Sequence, residues 1–63
     1  MKKIFKVVAE VTVSPYITQG KIYEVYSVTF PKLNPEGLFY VYTDSCGFQR
    51  LTSSYFKPCE NNI

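Results

Sequence analysis

GKIYEVYSV, residues 20–28, carries the clearest strand signal in the chain. It is rich in β-branched and aromatic residues, the composition of a strand. Gly20 just ahead of it suits a turn, where a backbone angle is needed that a residue with a Cβ would resist. The alternation slips partway along: Tyr23 and Val25 suit the interior, yet Val28 and Phe30 fall on the opposite parity. A β-bulge near Tyr26 and Ser27 restores the phase and bends the strand, as small barrels often require. The spacing therefore predicts a bent strand over Lys21 to Phe30.

Working outward, Phe5, Val7, Ala9, Val11 and Val13 alternate with Lys6, Val8, Glu10 and Thr12, a period of two that predicts a strand over Lys3 to Val13. Ser14-Pro15 breaks it, because proline cannot donate to a ladder and restricts the residue before it. Tyr16 to Gly20 then reads as a loop, and so does Pro31 to Gly37.

YVYTDSCG at 40–47 closes a third strand, Leu38 to Thr43, and turns through Asp44-Ser45-Cys46-Gly47 into a fourth, Phe48 to Thr52. Asp at the first position and Gly at the last predict a type I turn with Gly47 left-handed, a three-residue hairpin loop. In that register Asp44 faces Phe48, Tyr42 faces Arg50, Val41 faces Leu51 and Tyr40 faces Thr52. Phe39, Val41 and Leu51 then share the inner face, and Tyr40, Tyr42, Phe48 and Arg50 the outer one. Ser53-Ser54-Tyr55 predicts one 3₁₀ turn leading from Phe56 into a last short strand ending near Pro58. The tail from Glu60, residues 60–63, is expected to fray.

Five strands, no helix of useful length and a 3₁₀ turn before the last strand predict an all-β, SH3-like barrel as a single domain over residues 1–63. An OB-like barrel needs longer strands and a helix for which there is little room. The expected core is Phe5, Val7, Val11, Tyr23, Val25, Phe39, Val41, Leu51 and Phe56. A chain of 63 residues sits near the lower limit for folding without a staple, and six Tyr and five Phe partly compensate because each buries a large area. With 46% hydrophobic and 19% charged residues, the chain can offset the entropy of ordering.

A formal charge of +2 is too slight to imply nucleic acid by itself. Lys2, Lys3 and Lys6 ahead of apolar residues imitate a signal peptide, but Glu10 and Thr12 interrupt the run, and removing the first strand would leave too little to fold. The expectation is a cytoplasmic protein with no membrane partner. Cys46 and Cys59 are then expected as free thiols in a reducing compartment. With no His and no Cys-x-x-Cys spacing, neither a metal nor another cofactor is expected.

The sequence offers little for catalysis. Acid-base work relies on His or on paired carboxylates, and Glu10, Glu24, Glu36, Asp44 and Glu60 are not spaced to meet in one pocket. Cys46 lies in a turn with no histidine to activate it, and Ser53-Ser54 near Lys57 reads as a capped turn before it reads as a Ser-Lys dyad. The only three glycines are taken by turns, so no phosphate loop exists.

The order Y-x-T-x-G-K-x-Y-E-V at Tyr16 to Val25, the Tyr/Val strand ending in Asp44 with Gly47 three residues on, and Tyr55-Phe56-Lys57-Pro58 together cover most of the chain from Tyr16. In these features it resembles the short SH3-like proteins of tailed bacteriophages and some bacteria. The resemblance implies the fold and a phage origin. It carries over no catalytic residue, since that group has no shared active site.

The constellation that points to function is the outer face: Tyr40, Tyr42 and Phe48 with Arg50, side chains enriched in interface hot spots. Tyrosines on small sheets also serve as cross-strand pairs that only stabilise the sheet. The expected function is a non-enzymatic, phage-encoded module that docks on a host protein through this face or by adding a strand at a sheet edge. The alternatives are a single-stranded nucleic-acid binder, with these rings stacking bases and Lys21, Arg50, Lys57 and the N-terminal lysines on phosphates, or a homo-oligomeric structural component.

Overall fold

The structure, a computed structural model, describes residues 2–59. Its strands are β1 (Phe5–Ala9), β2 (Ile22–Thr29), β3 (Leu38–Tyr42), β4 (Phe48–Thr52) and β5 (Phe56–Pro58), all antiparallel in one sheet of order β4-β3-β2-β1-β5. A 3₁₀ turn at Ser53–Tyr55 leads into β5. Among the described residues there is no α-helix, and none long and apolar enough to cross a membrane. The tail expected to fray from Glu60 lies outside the described residues.

The longest strand, β2, pairs with β1 on one side and β3 on the other. Its register slips where the change of parity predicts the bulge: Val25 faces Val41, but Ser27 faces Tyr40. Past the bulge Val28 packs against the core. Phe30, expected inside as well, is instead exposed, because β2 ends at Thr29 and the ring lies over the backbone of Gly37.

A bulge sharpens the local bend and twist of a strand, and the halves of the sheet do fold toward each other. Phe39 of β3 lies 5.9 Å from Phe56 of β5 and 5.4 Å from Phe5 of β1, ring centre to ring centre. No ladder joins β4 to β5, so the sheet is not closed into the barrel expected from the sequence. The edge strand β5 has only three residues and ends in Pro58, which has no N–H to give.

The buried core is Val7, Ala9, Ile17, Tyr23, Val25, Val41 and Phe56, with Phe39 and Leu51 partly buried against it. Two residues expected there are not: Phe5 and Val11 are each 40% exposed. The cause is the early end of β1, which stops at Ala9 instead of running to Val13. Glu10 N–H makes the last rung toward β5, donating to the Tyr55 carbonyl at 2.7 Å, and beyond it Val13 and Ile17 exchange two backbone bonds of 2.9 Å with each other instead of with the sheet. Val11 is thereby lifted off the sheet, while Ile17 drops to 1% exposure in its place. Phe5, at the open start of β1, meets Phe39 edge-on and leaves the rest of its ring toward solvent.

The hairpin register also differs from the expected one. Tyr42 faces Phe48, Val41 faces Gln49, Tyr40 faces Arg50 and Leu38 faces Thr52, a slip of two residues. Asp44 does not pair with Phe48, because it is drawn away: its N–H donates to the Tyr16 carbonyl at 2.8 Å and its carboxylate binds the loop before β2. Thr43 closes the wider turn. Its hydroxyl donates to the Gly47 carbonyl at 2.6 Å and accepts from Cys46 N–H at 3.0 Å. Gly47 has φ +67° and Gly20 φ +87°, the left-handed conformations expected of them.

Candidate functional site

Because the slip is an even number of residues, each side chain keeps its face. Tyr40, Tyr42, Phe48 and Arg50 therefore lie together on the outer side of β3 and β4, as expected, but with different neighbours. Phe48 is the centre. Its ring stacks on Tyr40 at 5.2 Å and meets Tyr42 edge-on at 5.0 Å. Arg50 does not sit opposite Tyr42. Its guanidinium carbon lies 4.7 Å from the Tyr40 ring centre, a cation–π contact.

A fourth ring belongs to the face. Tyr26, at the bulge of β2, meets Phe48 edge-on at 5.1 Å. Alternation alone puts the bulge at this residue but does not bring its ring to the β3–β4 face. The signal was present, since Tyr26 has the parity of Glu24, which already points outward. Tyr42 is 60% exposed and Phe48 37%, so the cluster is half-covered by its own members and open to solvent on one side.

Beside the rings runs a groove of about 490 Å³ that reaches Lys6, Lys21, Glu24 and Asp44. Its charges are mostly internally paired. Lys3 Nζ donates to Glu24 Oε2 at 2.9 Å and Lys21 Nζ to Asp44 Oδ1 at 2.7 Å. The hydrogen bond from Lys21, then that from the Thr18 hydroxyl, holds the Asp44 carboxyl below the usual carboxylate range, and the same bond raises the Lys21 ammonium. The bond from Lys3 lowers Glu24 in the same way and raises Lys3. Tyr23 donates to Asp44 at 3.0 Å and accepts from Thr18 N–H at 2.8 Å; burial pushes its phenol up. This knot ties the loop before β2 to the β3–β4 turn and leaves the aromatic face on a braced support.

Two other side chains considered for chemistry make local hydrogen bonds. Ser53 Oγ donates to the Glu36 carbonyl at 2.8 Å, and Ser54 Oγ shares a 3.3 Å bond with Thr52 Oγ1. Cys46 and Cys59 are free thiols. Among the described residues no three His, Cys, Asp or Glu side chains come together to hold a metal.

No family model matches the chain, and no curated protein or solved structure matches it either.

Proposed function

We propose that the chain is a non-enzymatic binding module with an SH3-like fold, and that it docks on a protein partner through the outer aromatic face of β3 and β4. The observation that carries this reading is Phe48, ringed by Tyr26, Tyr40 and Tyr42 on an open surface beside Arg50. Pairing across a sheet explains two touching rings. It leaves unexplained why Tyr42 stays 60% in water beside a groove. An exposed aromatic cluster with an arginine gains most when a partner covers it.

The SH3-like assignment is supported by the strand order β4-β3-β2-β1-β5, the bulged central strand and the 3₁₀ turn before the last strand. The phage setting and a host protein as the partner follow from the sequence resemblance. A protein is favoured over single-stranded nucleic acid because, of the two lysines that line the groove beside the rings, Lys21 is engaged with Asp44 and only Lys6 is left for a phosphate. The test is an affinity capture from bacterial lysate with and without nuclease, repeated with Tyr42→Ala. One dominant protein, retained after nuclease and lost with the variant, supports the reading; recovery of nucleic acid, or capture indifferent to Tyr42, refutes it.

A further inference from the structure

We infer that the free edge of β4 receives an extended segment of the partner protein as a sixth, antiparallel strand, with an acidic side chain set opposite Arg50. This rests on the reading above and names the chemistry of the partner at that site.

The phase of the ladder shows which groups are available. Thr43 N–H bonds the Gly47 carbonyl at 2.9 Å and Ser53 N–H bonds the Gly37 carbonyl at 3.0 Å. In the observed register the hydrogen-bonded pairs between these limits are Val41 with Gln49 and Phe39 with Leu51. Phe48, Arg50 and Thr52 alternate with them, so their N–H and C=O groups turn away from β3. The strand β4 ends the sheet order; the Thr52 carbonyl caps the 3₁₀ turn at Ser53–Tyr55, and among the described residues nothing else bonds the Thr52 N–H or the backbone groups of Phe48 and Arg50.

Natural edges are blunted by short length, proline, lysine or a bulge. At the opposite edge β5 has three of these, being three residues long with Lys57 and Pro58. The edge of β4 has none of them. It is five residues long, with Arg50 as its one charge, and the guanidinium is laid back on Tyr40.

Arg50 also selects the occupant. It takes part in neither ion pair of the described residues, so its charge is available to a carboxylate. A second copy is disfavoured by the same residue: antiparallel self-pairing through the three outward-facing residues sets Arg50 against Arg50. Nucleic acid cannot complete a backbone ladder. An acidic residue opposite Arg50, with a β-branched or aromatic residue two positions away over Phe48, satisfies both the edge and the face.

The experiment selects random nonapeptides, displayed on a carrier, for binding to the intact protein, and synthesises the enriched sequence as the probe. Enrichment of Asp or Glu with an apolar residue two positions away is expected, as is slowed amide exchange at Phe48, Arg50 and Thr52 in the complex. Thr52→Pro is the decisive variant. Thr52 has φ −62°, which proline adopts, and its N–H is not used by the β3 ladder. The variant should fold yet bind the peptide about tenfold more weakly, the effect of losing one hydrogen bond and its approach. Should it fail to fold, N-methylation of the peptide amide that faces β4 gives the same readout. Arg50→Glu should weaken binding and a Glu→Lys peptide should recover it.

If no peptide enriches, or if Thr52→Pro and the N-methylated peptide bind like their parents, strand addition is overturned. Should Tyr42→Ala still weaken binding in that case, the aromatic-face reading survives alone; if Tyr42→Ala is also silent, that reading falls too.

Discussion

Replacing Ile17 by Ala tests the packing that the structure adds to the sequence. Ile17 is 1% exposed and sits under the loop between β1 and β2. The change removes about three buried carbons, worth about 2.4 kcal/mol at about 0.8 kcal/mol each. A residual cavity adds to this at about 24 cal/mol per Å³, for a total of about 3 kcal/mol. A chain of 63 residues has roughly 3 to 9 kcal/mol to lose in all. Ile17→Ala is therefore expected to unfold in much less urea, its midpoint lower by about 3 M at a slope of about 1 kcal/mol/M. Val11→Ala, at a position 40% exposed, should cost under about 1 kcal/mol. The assay is urea unfolding of both variants followed by circular dichroism. If Val11→Ala costs as much as Ile17→Ala, the first strand continues to Val13 and the account of the loop is wrong.

Val41→Ala removes two carbons from a side chain with 0% exposure and should cost about 2 to 3 kcal/mol in the same assay; a loss under about 0.5 kcal/mol would place Val41 outside the core. Tyr42→Ala and Arg50→Ala should each weaken partner binding by more than about 1 kcal/mol by titration calorimetry, with folding changed by no more than the about 0.2 to 1 kcal/mol of a cross-strand pair. Equal binding by both variants contradicts the site. Asp44 is held low by Lys21, so its contribution is present above its unfolded-state pKa and lost as pH falls through the lower folded value, below about pH 4. Lys21, raised by Asp44, and Tyr23, raised by burial, contribute below their ordinary values and lose that contribution as pH climbs above about 10. Thermal melts across pH should show both limbs, and an acid limb unchanged in Asp44→Asn would remove Asp44 from the explanation. Cys46→Ser with Cys59→Ser should leave the melting temperature and binding near wild type, because among the described residues Cys46 donates only through its backbone N–H and accepts only at its carbonyl, and both thiols are free.

Much of the candidate site was legible because parity is a local property. Tyr40, Tyr42, Phe48 and Arg50 were assigned to the outer face from alternation, and they stay there although the register is two residues from the expected one. The contacts within the face were not legible. Arg50 found Tyr40 instead of Tyr42, and Tyr26 joined from another strand, because such distances depend on how strands are aligned and bent.

Alternating side chains, bulge and turn glycines belong to short stretches of chain, so the sequence alone determined the five strands, the slip at Tyr26 and Ser27, the 3₁₀ turn and the faces. The tertiary structure alone decided where β1 ends, which residue fills the space under the loop, how β3 and β4 align and that the sheet stays open. Each of these is a competition between partners distant in sequence. The partners of β1, Lys21 on one side and Tyr55 on the other, make their last rungs at Ala9 and Glu10, and so the first strand ends early. Asp44 has a choice between pairing with Phe48 and binding Tyr16, Thr18, Tyr23 and Lys21, and the second set offers more hydrogen bonds to a charged group. No local pattern records that choice, because the groups competing for Asp44 meet only when the chain is folded.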